Sequence, residues 1–448
     1  MKKRIFAITA LLLLIPLLFS CFPQKPADTQ AKTETTAADP LQTSPVTEPV
    51  TEHTAEESGD TSAEIPAVSS ADPVVNGSVL LNATTVMVYG KCEKDCVINV
   101  YNGEQSFTVT PDGDNFCFAA QVKTDEETVI TVKAKAEGCA ESSGVTVTAQ
   151  GDGGMKDSGL TVSYGSRVFE KKVLADLYGA NAFTEKELAA MKKLAKSRVS
   201  NARKASGKNT GIIYAIAPCP LSVYDEELTE SMRSHIENRS ARLKQAAAAL
   251  SDVDGVTFID LTDILVSNKD KGKLYYKLDS HWTELGAYFG YKAIMDRISE
   301  KFPSAAPHPL SDYKIKYVAV DDTDMNVYSG VGTGEMYEDA PFLRARFVEQ
   351  TPYGKSKDQT ARIWDYVNKY FRTASKTSTG DASKPSAVLL MDSFGLNAVS
   401  FLAESFNVLA VQPVWYYNAD YGLIAEVEAD YVIEILEERD LGVLLSGT

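Results

Sequence analysis

Apolar and polar positions change their rhythm three times along this chain. Ile5 to Leu18 is one apolar run behind Lys2, Lys3 and Arg4. It is too short for a comfortable transmembrane helix and contains Pro16, so it has the form of a signal-peptide core. Residues 22–72 are rich in Thr, Glu, Ala, Pro and Ser and almost lack aromatics. Such a segment cannot bury enough apolar surface to offset its ordering entropy, and a disordered tether is predicted. As a flexible coil it would span about 40 Å. From Val74 to about Ala149 the period becomes two. Val79-Leu80-Leu81, Val86 to Tyr89, Val97 to Tyr101, Phe116 to Phe118 and Val129 to Val132 are short strands, separated by turn pairs such as Asn102-Gly103 and Asp112-Gly113. This spacing predicts a small immunoglobulin-like β-sandwich over 73–150. No exposed aromatic platform stands out in it, so a spacer is expected rather than a glycan-binding module.

Gly151 to Gly159 is a Gly/Asp-rich break, and afterwards helical and strand patterns alternate. Phe183-Thr184 with Glu187 and Leu188 forms a capping box and staple, opening a helix through about Lys204. Strands are predicted at Ile212 to Ala217, Val256 to Ile259, Ala387 to Met391, Phe406 to Val411 and Gly442 to Leu445. Helices are predicted at Glu226 to Leu250, Leu396 to Ser405 and Asp430 to Glu438. The alternation implies an α/β domain over 155–448, in three layers around a mostly parallel sheet. Its site belongs at the C-terminal ends of the strands.

Charge and cysteine usage narrow the setting. Ser20 directly before Cys21 resembles the bacterial lipobox, which implies cleavage before Cys21 and lipidation of its thiol. A two-chain anchor would tether the mature protein to the extracytoplasmic face of the cell membrane. The net charge of −16 argues against nucleic acid or anionic lipid as a partner. An exported location permits disulfides among Cys92, Cys96, Cys117 and Cys139, with the pairing open, while Cys219 reads as a buried small residue. With only His53, His235, His281 and His308 present, no zinc site is expected. The acidic run Asp321, Asp322 and Asp324 lacks the later Gly and Glu of a calcium loop and reads as solvated.

Two patterns carry candidate chemistry. Asp392-Ser393-Phe394-Gly395 follows the strand Ala387 to Met391 and precedes a helix, which exposes Ser393 at a turn beside N–H groups able to stabilise an oxyanion. By itself it also reads as a helix N-cap. In Asp279-Ser280-His281-Trp282-Thr283 the Asp-x-His spacing puts Asp279 and His281 on one side of an extended segment. Asp279 can then fix the imidazole tautomer and leave the other nitrogen as a base. A helix starting near Thr283 would favour the neutral imidazole.

Together, Asp279-Ser280-His281-Trp282-Thr283-Glu284-Leu285-Gly286-Ala287-Tyr288 and Met391-Asp392-Ser393-Phe394-Gly395 resemble the AlgX/AlgJ-like SGNH hydrolase family, also called the DHHW family. Ala217-Pro218 with Val223-Tyr224, and Ala429 to Ile433 with Glu438-Arg439, add to the likeness, which covers about residues 160–448. The resemblance implies an SGNH-type α/β fold and O-acetyl transfer to exported polysaccharides. It makes Ser393 the nucleophile, His281 the base and Asp279 the orienting acid. It places Trp282 beside His281 to shape the substrate site and suggests Asn326 as a further oxyanion donor. Ser280 replaces the family's second histidine, with its side chain expected to point away, and Met391 replaces the usual Gly. No cofactor or metal is implied. The expected activity is an extracytoplasmic carbohydrate O-acetyltransferase acting on an exported or cell-wall polysaccharide, with an acetyl donor such as a membrane acetyl carrier. A carbohydrate esterase with the same triad, or a silent wall-binding scaffold, are the alternatives.

Overall fold

A computed structural model describes residues 68–446, apart from 104, 164, 235, 237–238, 321–322, 330–337, 345–350, 353–374 and 414–419. Cys21, its preceding segment and most of the expected tether, together with Asp321 and Asp322, lie outside the described residues. Seven strands open the described chain: β1 (Val74–Asn82), β2 (Thr85–Lys91), β3 (Cys96–Asn102), β4 (Gln105–Val109), β5 (Asn115–Gln121), β6 (Thr128–Ala136) and β7 (Val145–Ala149). They form two antiparallel sheets, in the orders β1-β2-β5 and β4-β3-β6-β7. Alternate residues such as Ile98, Val100, Phe116, Phe118, Ile130 and Val132 meet in the space between them. The alternation buries one face of each strand and wets the other. β4 and β7 had no counterpart in the sequence reading, because Gln105–Val109 and Val145–Ala149 are short and Ser- and Thr-rich. The cysteines of this region are all unpaired: Cys117 is buried and donates its thiol to the Ser166 carbonyl at 2.9 Å.

The Gly151–Gly159 stretch is pinned rather than free. Gly151 N donates to Lys123 O, Asp152 N to Ala83 O and Ser158 N to Leu81 O. A hairpin of β8 (Leu160–Val162) and β9 (Val168–Glu170) follows. The chain continues through α1 (Glu185–Ser206), β10 (Gly211–Ala217), α2 (Ala241–Leu250), β11 (Val256–Asp260), α3 (Glu284–Ser299), β12 (Lys314–Val320), α4 (Asp324–Ser329) and β13 (Glu338–Arg344). It ends with β14 (Thr351–Pro352), β15 (Ser375–Ser378), β16 (Ala387–Met391), α5 (Leu396–Ser405), β17 (Val408–Pro413), α6 (Tyr421–Glu426) and β18 (Tyr431–Glu437). Seven of these strands make one sheet in the order β11-β10-β18-β16-β17-β15-β14. The first five run parallel, and β15 and β14 add antiparallel.

The parallel strands are mostly apolar because both of their faces are covered. Ile213, Ala215, Leu389, Met391, Ile433 and Ile435 point to α3 and α5. Ile212, Tyr214, Val388, Val432 and Leu436 point to α1, α2 and α6. The capping box of α1 is present, with Thr184 accepting from Glu187 N and Glu187 from Thr184 N.

Two sequence-based elements come out differently. Asp430 to Glu438 is not a helix: Tyr431–Glu437 is the strand β18, in the middle of the sheet between β10 and β16. Its Val-Ile and Ile-Leu pairs fit a strand buried on both faces, and Glu434 is tolerated there because Arg198 of α1 stands 3.8 Å away. The tail after it, including the expected strand Gly442 to Leu445, is a run of 3-10 turns. The long helix Glu226 to Leu250 is broken into a turn, a short helix Glu230–Arg233 and α2. Ser240 stops it by adopting φ 54°, a left-handed conformation that a continuing helix cannot hold. Its hydroxyl lies 3.3 Å from both Ser222 Oγ and Glu438 Oε2, so tertiary contacts hold the break.

Candidate active site

Leu274 to Thr283 folds back on itself as a tight loop. Tyr275 bridges Trp282, Tyr276 N donates to His281 O, and Thr283 N donates to Leu274 O. The tip therefore holds Asp279, Ser280 and His281. Asp279 Oδ1 accepts from His281 N at 2.9 Å and lies 2.7 Å from His281 Nδ1. One carboxylate thus shapes an Asx-type turn and fixes the ring at once. Thr283 then caps α3, its hydroxyl accepting from Gly286 N.

The ring's surroundings are fully determined on the Nδ1 side. Asp279 Oδ2 accepts from Asp324 N at 3.0 Å, and Asp324 accepts from Ser280 N at 2.9 Å and from Ser280 Oγ at 2.5 Å. Asp324 Oδ2 stands 3.7 Å from His281 Nδ1. Burial opposes protonation of His281, but the charge and hydrogen bond of Asp279, with Asp324 behind it, hold its pKa above the ordinary value. Asp279 is held below the usual carboxylate range despite its burial, because His281 and the surrounding N–H donors favour the anion. Burial and the neighbouring Asp279 push Asp324 up to about 6. The expectation of a helix end favouring neutral imidazole is thus outweighed by two carboxylates at closer range. The three ligand-type atoms of Asp279, His281 and Asp324 lie within 4.8 Å of one another. They are spent on hydrogen bonds to one another and to Ser280, which explains the cluster without an ion.

Nε2 of His281 is buried and has no hydrogen-bond partner among the described residues. The contact from His281 to Ser393 is therefore open in this structure, while the Asp279 half is closed. Ser393 sits at the end of β16, on a 3-10 turn Ser393–Gly395 leading into α5. Asp392 caps this turn: Oδ1 accepts from Phe394 N at 2.8 Å, and Oδ2 accepts from Glu437 N at 2.6 Å at the end of β18. Burial and Asp440 push the Asp392 pKa up to about 7. Met391, standing where the family's Gly is usual, is accommodated from the other side of the turn. A Cβ on Gly395 would lie 2.4 Å from Met391 Cβ, so Gly395 supplies the space.

Trp282 and Phe394 tie the two motifs together. Trp282 Nε1 donates to Phe394 O at 2.8 Å, and Asn397 Nδ2 of α5 donates to Trp282 O at 2.9 Å. The Phe394 ring centroid lies 5.2 Å from that of His281 and 5.5 Å from that of Trp282. Trp282 is completely buried, so it presents no surface to a ligand and acts as the internal strut between motifs rather than a substrate-binding wall. Gly286 and Gly290 on α3 allow this packing. A Cβ at Gly286 would meet Leu274 O at 2.2 Å, and one at Gly290 would meet the Trp282 ring at 2.8 Å.

Other sequence expectations are corrected or extended. Ser280 does not point away from the site, since its hydroxyl bridges Asp324 and lies 3.3 Å from His281 Nδ1. Asp324 does not belong to a solvated loop, and the sequence reading missed it because an acidic run on a loop looks like surface. Asn326 lies on α4, two residues beyond Asp324, with its side chain outside the described set. Arg439, seen only as part of a family match, is partly buried 3.1 Å from Glu437, with its guanidinium 5.9 Å over the Phe394 ring. Glu437 is pushed up to about 8 by burial despite Arg439. Tyr224 and Pro218, also family matches, hold the Leu274 to Thr283 loop: Leu274 N donates to Tyr224 OH and Tyr275 OH to Pro218 O.

A doubly covered, mostly parallel sheet with a Ser turn and an Asp-x-His loop at its C-terminal edge defines the hydrolase class to which the fold points. By sequence the chain belongs to the SGNH hydrolase-like domain family of the acetyltransferase AlgX, which it matches over residues 177–404, just over half its length. Similar solved structures include a DHHW family protein from Eubacterium siraeum, 13% identical over 70% of this chain and 94% of that one, with a TM-score of 0.44. PatB1 from Bacillus cereus is 17% identical over 60% of this chain and 94% of its own, with a TM-score of 0.45. The O-acetyltransferase domain of Pseudomonas putida AlgJ is 14% identical over 65% and 94%, with a TM-score of 0.38. A comparison with curated protein sequences finds no match.

Proposed function

We propose that this protein is an extracytoplasmic carbohydrate O-acetyltransferase that works through Asp279, His281 and Ser393. The supporting observation is the Asp279–His281 pair at 2.7 Å with Nε2 uncommitted, beside the Ser393 turn. Nε2 takes the Ser393 proton as Oγ attacks the acetyl carbonyl. The tetrahedral intermediate collapses to acetyl-Ser393, and the imidazolium returns the proton to the departing donor oxygen. A sugar hydroxyl then attacks, loses its proton to Nε2, and leaves as the acetyl ester while Ser393 Oγ is reprotonated. Phe394 N–H and Gly395 N–H are occupied by Asp392, so Ser393 N–H is the turn's contribution to the oxyanion hole. Hydrogen bonds to Nε2 are often loose before substrate binds, which fits the open contact.

The acceptor we assign is an exported or cell-wall glycan, with the two sheets of β1–β7 forming an immunoglobulin-like sandwich ahead of the catalytic domain. We also assign lipidation to Cys21, which holds the protein at the outer face of the membrane. The test is acetyl release from 4-nitrophenyl acetate by the wild type, Ser393→Ala and His281→Ala, with mass spectrometry of the Ser393 peptide. An adduct and turnover lost in both variants support the triad. Equal slow rates in all three proteins return the reading to a silent scaffold. Acetyl gain by an added oligosaccharide favours transfer, and ester loss alone favours an esterase. Radiolabelled fatty acid incorporated by the wild type and lost in Cys21→Ala tests the anchor.

A further inference from the structure

The sandwich was expected to be a spacer, yet its contacts converge on the residues just before Asp279. Leu278 is buried in a cluster with Met87, Tyr89 and Cys117 of the sandwich, Val162 and Val168 of the β8-β9 hairpin, and Met325 beside Asp324. The backbone is clamped as well. Val168 N donates to Lys277 O, Arg167 Nη1 to Tyr276 O at 2.5 Å, and Lys277 Nζ to Gly165 O. At the centre stands Glu338 on β13, with no exposure to solvent. Its Oε1 accepts from Leu278 N at 2.7 Å, and its Oε2 from Lys277 N at 2.9 Å and Lys273 Nζ at 3.0 Å. The same ammonium reaches Asp112 Oδ2 at 2.7 Å, on the Asp112-Gly113 turn of the sandwich.

We propose that the sandwich is a working part of the catalytic unit: the chain Asp112–Lys273–Glu338 and the Leu278 cluster fix the backbone that aims Asp279 and His281. Glu338 is the central positioning residue. It holds two consecutive backbone N–H groups with one carboxylate, immediately before the loop tip. A carboxylate has lone pairs for all three donors, whereas an amide in its place would turn an N–H₂ towards at least one of them. Lys273 neutralises a charge that would otherwise be buried alone. Asp112 links that lysine to a domain preceding the catalytic sheet in the chain. This inference rests on the triad reading for its consequence in turnover, but the coupling itself is a matter of geometry.

The experiment uses the full chain with Glu338→Gln, Asp112→Asn and a control, Glu141→Gln. Glu141 belongs to the sandwich and bonds Asn99, Tyr101 and Lys133, away from the clamp. Two readouts are taken below the unfolding temperature: kcat and KM on 4-nitrophenyl acetate, and the His281 pKa from its Cε1–H resonance, assigned by its loss in His281→Ala. The leading charges on this histidine are Asp279, Asp324 and Arg439, so a change as large as a unit on neutralising Glu338 reports geometry. Glu338→Gln should lower kcat about tenfold or more with KM nearly unchanged, since misplacement by about an ångström costs rate more than binding. The His281 pKa should fall about one unit towards 6.5 as the Asp279 contact loosens. Asp112→Asn should move both readouts in the same sense by a smaller factor, and it decides the matter if Glu338→Gln fails to fold. Glu141→Gln should move neither. A lower Tm with kcat and the His281 pKa both unmoved overturns the proposal. If even the wild type shows no triad-dependent turnover, the functional reading falls. The His281 titration then still decides the coupling.

Discussion

Replacing the Asp324 carboxylate by an amide (Asp324→Asn) should shift the pH dependence of the reaction without dismantling the site. The amide retains an oxygen to accept from Ser280 N, and the backbone N–H at this position still donates to Asp279 Oδ2. What disappears is a negative charge 3.7 Å from His281 Nδ1. At an effective dielectric constant near 20 the gross interaction at that range is about 4 kcal/mol. The net effect is smaller, because Asp324 itself titrates at about 6 and is part-protonated where the imidazolium forms. A fall of about one pKa unit in His281, or about 1.4 kcal/mol, is the expected remainder. The sign is definite. A neighbouring anion stabilises the imidazolium, so its removal lets the base form appear at lower pH. The acid limb of kcat/KM for 4-nitrophenyl acetate, which reports the free enzyme, should therefore move down by about one unit. A limb that stays in place or moves up would refute the role given to Asp324.

The other expectations concern the frame around the site. Trp282→Phe removes the donor to a buried Phe394 carbonyl and should cost about 1–3 kcal/mol in urea unfolding, with slower acetyl-Ser393 formation. Gly290→Ala pushes a methyl into the Trp282 ring and should cost about 1–3 kcal/mol, whereas Gly207→Ala, at a left-handed helix end with open space, should show strain only. Arg198→Met leaves Glu434 buried and unpaired and should cost about 3–5 kcal/mol at pH 7. Glu434 already has a raised pKa from burial, and this variant should raise it further. The loss should therefore be full above the variant's folded pKa and shrink as pH falls towards the wild-type folded pKa, which already lies above the unfolded value. Thermal melts from pH 4 to 8 would show it, and Arg198→Met with Glu434→Leu should recover most of the loss.

The sequence disclosed the parts whose causes are local. The capping box at Thr184, the apolar strands β10 and β16, and the Asp-x-His and Asp-Ser spacings each depend on neighbours within a few residues. β18 was misread because Tyr431–Glu437 carries a glutamate among apolar residues. Only Arg198, far away in the chain, makes that glutamate compatible with a central strand. Short apolar runs of this kind do not separate strand from helix by periodicity. Asp324 and Glu338 were invisible for a related reason. Both are acidic residues whose partners, Ser280 and Lys277, stand 44 and 61 positions away. Trp282 was expected to shape the substrate site, and its complete burial under Phe394 is a tertiary fact that adjacency to His281 in sequence does not carry.

The position of β18 has a consequence for how the molecule comes into being. This strand separates β10 from β16 and pairs Tyr431 with Gly211, about 220 residues earlier. Contacts of such span carry a large loop-closure entropy and form late. Until the final strand leaves the ribosome, the strand that carries Ser393 has no partner linking it to β10. The sheet is thus sealed from its middle, by its last piece. A chain that stops before Tyr431 contains Asp279, His281 and Ser393 but lacks the strand that joins β16 to β10, which leaves the Trp282–Phe394 contacts to hold the two motifs together.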